Sequence, residues 1–152
     1  MLRPPETAIL TDDEAGLPRT GGRDHLSLTE AARDQPDQVL ALELYRGWSW
    51  ADASTREWSA GDRRLEVIVL LTLRRSGAER AYARWSQDAA AAPLAAGGCR
   101  PSMTRVERCR LGRAGPRAVM VAQIDAAVFR VAGLNVNVED LGELQAERLT
   151  AG

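Results

Sequence analysis

Hydrophobic and polar positions sort most sharply between residues 64 and 90. In an extended conformation Leu65, Val67, Val69, Leu71 and Leu73 point one way, while Ile68 and Leu70 make the middle of the opposite face apolar. This pattern predicts a central strand covered on both sides at its midpoint, with Glu66 and Arg74 marking where the second face reaches water. A helix is expected directly after it. Ser76 and Glu79 have the spacing of a Ser-x-x-Glu capping box, and Ala78, Ala81, Tyr82, Trp85 and Ala89 fall on one helical face, up to a stop at Pro93.

Elsewhere the pattern predicts shorter elements. Residues 1–35 are polar and rich in Pro, Gly, Asp and Arg; they read as an arm ahead of a single domain spanning 36–152. Two short helices are expected within the arm, at 10–15 with Thr11 as cap and at 28–33. A helix over 36–45, started by Asp34 or Pro36 and ended by Gly47, carries Val39, Leu40, Leu42 and Leu44, although its alternation also permits a strand. Residues 48–58 form a strand that reverses at Gly61 and Asp62 into the central one, making a hairpin. Residues 104–110 are extended, 112–116 turn, and 117–122 and 127–132 are two strands or one long bent strand. Asn137 caps a last helix through Leu149, with Val138, Leu141, Leu144 and Leu149 on its apolar side. The order argues for an α+β fold: an antiparallel sheet of about five strands with helices packed on it.

Composition changes this picture little. A chain of 152 residues with net charge −1 has a real core and no global field to steer nucleic acid. All 20 basic residues are arginine, which reads as genome composition in the manner of a high-GC bacterium. No run of about 18 apolar residues is present to span a membrane. The N-terminal Met-Leu-Arg-Pro-Pro lacks the apolar region of a signal peptide, so the protein is cytoplasmic or its leader lies outside this chain. Cys99 and Cys109, with Gly97, Gly98 and Pro101 nearby to turn the chain, suit a bridge closing a short loop; the alternative is two reduced thiols.

A Trp-containing strand, a Gly-Asp turn, an apolar strand, a Ser-Gly-Ala-Glu helix and a late meander closing in a Leu-rich helix resemble the small exported lipoproteins and sensor-like domains of actinobacteria. They also resemble the extracellular domains of actinobacterial receptor serine/threonine kinases. The similarity rests on residues 58–61, 65–73, 76–85 and 119–149. It implies an extracytoplasmic location, a structural disulfide and an unidentified ligand; the expected partner is a small molecule, a cell-envelope component or a protein. Membrane attachment would come through a lipid anchor outside this chain.

Candidate chemistry is sparse. Gly47-Trp48-Ser49-Trp50-Ala51 is close to a nucleophile elbow but ends in Ala51, and the single histidine, His25, lies upstream in the arm. Glu43, Glu66 and Asp125 are isolated carboxylates in the sequence. Tyr45, Trp48, Trp50 and Trp58 are the stronger group. Stacked rings suit a sugar or another flat ligand, with Arg46 or Arg56 to hold an anionic group, and core packing accounts for the same rings. Alternation places Trp48, Trp50 and Trp58 on one strand face unless a bulge intervenes. Arg100, Arg105, Arg108, Arg110, Arg113 and Arg117 form a charge cluster opposed locally by Glu107, but no aromatics interleave them, so a solvated hairpin is expected and nucleic acid is not. No cofactor or metal site is expected. The resulting expectation is a non-enzymatic, exported ligand- or partner-binding domain. A small enzyme with a pocket between sheet and helices, and a cytosolic regulator or scaffold, are the alternatives.

Overall fold

A computed structural model describes residues 2–90, 99–100 and 102–150. Its centre is β3 (Arg63–Thr72), buried on both sides as its two apolar faces require. Leu65, Val67 and Val69 enter one core cluster and Leu70 the other, with Ile68 packed at its margin. Leu73 lies just past the strand and is exposed, so the expected one-sided row ends at Leu71.

In chain order the elements are α1 (Pro5–Ala8), α2 (Asp12–Ala15), β1 (Arg19–Arg23), α3 (Leu28–Arg33), α4 (Gln38–Gly47) and β2 (Trp50–Ala60). After β3 come α5 (Arg75–Ala90), β4 (Arg108–Ala114), β5 (Arg117–Ile124), β6 (Ala127–Leu134) and α6 (Val138–Thr150). The strands form one antiparallel sheet in the order β1-β2-β3-β6-β5-β4. The α+β class is as expected, with six strands rather than about five. The sixth strand, β1, lies in the segment read as an arm.

That segment belongs to the core. Ala8, Ile9, Leu10 and Leu17 are buried against the same face as Leu65 and Val69. Two side chains of α6 hold it there. Gln145, wholly buried, donates to the Ala8 carbonyl at 2.8 Å and accepts from the Leu10 amide at 3.0 Å. Arg148 donates to the carbonyls of Thr7, Ala8 and Ile9 and pairs with Glu14. A short irregular segment can therefore be buried because side chains satisfy its backbone groups. α6 itself lies close to the sheet at Gly142, where an added Cβ would stand 2.2 Å from Met120 Sδ.

Local signals account for several element boundaries. Thr11 with Glu14 and Ser27 with Glu30 make reciprocal capping boxes at α2 and α3. Asp37, rather than Asp34 or Pro36, caps α4 through the Leu40 amide. Asn137 caps α6 by accepting from the Asp140 amide. The expected box at Ser76 does not form in this way: α5 already begins at Arg75, which places Ser76 inside the first turn, and Glu79 turns to Arg75 at 3.5 Å. The turn between β5 and β6 lacks glycine because Asp125 takes the left-handed conformation, φ +51°. Two strands result rather than one bent strand. β4 continues through Ala114, so the expected turn is confined to Gly115 and Pro116. The expected helix stop at Pro93, the packing of Ala89 and the turn residues Gly97, Gly98 and Pro101 lie outside the described residues.

Cys99 and Cys109 are bonded, with Cα atoms 5.6 Å apart, and pack against the cluster beneath α6. Nearby, Arg100 sits among Glu139, Asp140 and Glu143 at 3.2, 2.5 and 3.1 Å, and Arg113 also pairs with Glu139. Part of the arginine cluster is thus neutralised by α6, which lies far from it in sequence.

Two outcomes are expected. Gln145→Leu strands the Leu10 amide and leaves the Ala8 carbonyl only its bond from Arg148, and should lower stability by about 1–3 kcal/mol in urea denaturation, the cost of one unsatisfied buried group. Thiol titration of the denatured, unreduced protein should find no reactive cysteine; reduction should expose both and cost about 2–3 kcal/mol.

Candidate functional site

The α4 helix ends at Gly47, Trp48 follows as its C-terminal cap, and Ser49 in the left-handed region (φ +56°) swings the chain into β2. The Leu73 amide donates to the Ser49 carbonyl at 2.8 Å, fixing this corner to the end of β3. α5 starts so close by that a Cβ at Gly77 would lie 1.8 Å from the Trp48 carbonyl oxygen. Only glycine fits there. The elbow-like Gly47–Ala51 stretch therefore runs from helix to strand, the reverse of a nucleophile elbow, which exposes its serine between a strand and the following helix.

The predicted common face for the tryptophans is corrected by the sheet. A bulge between Trp50 and Asp52 shifts the β2–β3 register and inverts the alternation. Trp48 and Trp50 consequently join the cluster under α3, α4 and α5, whereas Trp58 joins the opposite cluster, its indole N–H donating to Asp12 at 2.8 Å. All three rings are buried. Arg56 also leaves the group: it donates to the Leu10 carbonyl at 2.7 Å on the Trp58 side. Arg46 is exposed on the last turn of α4 and does not line the cleft described below.

Tyr45, Trp48 and Trp50 do come together. The tyrosine ring centre lies 5.0 Å from each indole, and Trp85 from α5 meets Trp48 edge to face at 6.0 Å. The Trp50 N–H is bound to the Leu26 carbonyl at 2.9 Å, which locks its ring. These rings wall a cleft of about 450 Å³ between α4 and α5, floored by Ile68 and Arg130, which are register partners on β3 and β6. This volume suits a small organic ligand. The Arg130 guanidinium lies 5.5 Å from the Trp85 ring centre in a cation–π contact, and Arg84 also lines the cleft. Among the described residues neither arginine has an ion-pair partner. Asp34 and Asp37 also line the cleft.

The sequence therefore placed three of the cleft's rings and missed Trp85, Arg84 and Arg130 as their companions. Arg130 had a readable signal: it is the one charged residue of β6, flanked by Phe129 and Val131.

Two residues along β3 from Ile68, on the same face, Glu66 stands opposite Glu57 of β2. Both side chains are exposed; partial desolvation and then the Glu66 charge push the Glu57 carboxyl above its ordinary range. The structure thus pairs a carboxylate that seemed isolated. Compared with models of known protein families and with curated proteins, the chain matches none.

Removing the opposing charge should show in titration. In Glu66→Gln, the Glu57 carboxyl should titrate lower by carbon NMR. Because its raised pKa opposes folding when it ionises, the variant should melt higher at pH 7, and the difference should vanish once acid protonates both carboxyls.

Proposed function

We propose that this is a non-enzymatic ligand-binding domain acting outside the cytoplasm, and that the aromatic cleft between α4 and α5 takes a small flat ligand bearing an anionic group. The observation that carries this reading is the union of three packed rings, Tyr45, Trp48 and Trp50, with Trp85 and two arginines that lack ion-pair partners among the described residues. Ring faces and edges give stacking energy to a planar molecule, and a guanidinium that already rests on an indole is preorganised for an anion. The Cys99–Cys109 bond supports an oxidising compartment. Trp58 and Arg56, on the other side of the sheet, do not line this cleft.

A second reading, a small enzyme working through carboxylates, is supported by the Glu57–Glu66 pair, which lies on the same sheet face just beyond the cleft floor. Two carboxyls set opposite each other, one with its pKa raised, are an arrangement that general acid–base chemistry uses.

Titration with an anilinonaphthalene sulfonate, an apolar ring system carrying one anion, should quench tryptophan emission saturably. Tyr45→Ala and Arg130→Gln should each weaken binding about tenfold or more, from a lost ring contact plus a charge-assisted hydrogen bond. Trp48→Ala is unsuitable for this purpose, since emptying a buried indole site costs about 3–5 kcal/mol of stability. Unchanged affinity in both variants would remove the cleft from the binding role.

A further inference from the structure

A different corner of the molecule brings together the single histidine and two carboxylates. Glu6 comes from α1, His25 from the segment between β1 and α3, and Asp52 from the bulged start of β2, and one ligand atom from each lies within 4.8 Å of the others. We propose that Glu6, His25 and Asp52 form a binding site for a divalent first-row transition metal ion such as zinc.

The donors are already oriented. His25 Nδ1 is 2.9 Å from Asp52 Oδ2, and Asp52 is itself held by the Ala53 amide, which donates to Oδ1 at 2.9 Å. Glu6 supplies the independent sign of a ligand. Its Oε2 is shielded from solvent and has no hydrogen-bond partner. A carboxylate oxygen that has given up water without gaining a donor is short of positive charge, and a cation at the centre of this group supplies it.

Metal bonds of 2.0–2.1 Å in a tetrahedral site set donors roughly 3.4 Å apart. The present spacing needs only small side-chain rotations to reach this, and the His25 side chain is 66% exposed and able to make them. One imidazole and two carboxylates suit zinc better than calcium, which prefers an all-oxygen shell, and zinc should bind more tightly than manganese. Three protein ligands leave a fourth position for water or a small ligand, the composition of an open site rather than a closed structural one. Bound metal would also tie α1 to β2, reinforcing on one side the anchoring that Gln145 and Arg148 provide on the other.

With one histidine in the chain, its imidazole resonances report this site alone. Chelator-treated protein titrated with zinc chloride should show saturable shifts of the His25 resonances with one ion per chain, and a melting temperature that rises with zinc concentration. Calcium should produce neither. Glu6→Gln and Asp52→Asn, checked by circular dichroism for an unchanged fold, should each weaken zinc binding by about tenfold or more, in line with the loss of a ligand or its orienting partner. Two results overturn the site. One is the absence of a saturable shift at millimolar zinc. The other is a shift that both variants leave unchanged, which would mean an exposed imidazole binding zinc on its own.

Discussion

Burial of β3 on both faces is the constraint from which the rest of the molecule follows. Burying Leu65, Val67, Val69 and Leu70 is worth about 1.5–3 kcal/mol each, but only if both sides of the sheet are covered. The C-terminal helix α6 is too narrow to cover one side alone. The N-terminal segment completes that layer, and its backbone is made fit for burial by Gln145 and Arg148. On the other side α3, α4 and α5 share the work. The gap between α4 and α5 over Ile68 and Arg130 is the aromatic cleft. Cleft and core are thus one packing solution seen from outside and inside.

What could be read from the sequence was local. The two-faced apolar run at β3, the Gly61 turn and the caps at Thr11 and Asn137 depend on residues a few positions apart, and each found its place. The misreadings came from distant partners or from single-residue insertions. Ile9 and Leu10 are few among prolines and charges, so their burial could not be recognised without α6. The bulge after Trp50 carries no glycine to announce it, yet it decides which layer each tryptophan enters. Ser76 had the spacing of a cap, but helix geometry had already begun one residue earlier.

The candidate site divides in the same way. Tyr45, Trp48 and Trp50 are near in sequence and could be grouped from it, whereas Trp85 and Arg130 reach them only through the strand order β3-β6 and the crossing of α5. The pairing of Glu66 with Glu57 and the convergence of Glu6, His25 and Asp52 are likewise products of register and topology. Arg56, promising as a ligand contact by position, serves instead to satisfy the Leu10 carbonyl.

The outermost strands have a bearing on how the protein behaves in a crowded solution. β1 reads Arg-Thr-Gly-Gly-Arg and breaks register between Arg19 and Gly21, and β4 carries Arg108, Arg110 and Arg113. Glycine gives an incoming strand no side chain to pack against, a bulge spoils its hydrogen-bond alignment, and rows of like charge repel an identical rim. A sheet whose centre is as apolar as β3 would otherwise be a template for fibril growth. Its borders make self-propagation unfavourable, so the chain can concentrate its stickiest residues in one place without polymerising through them.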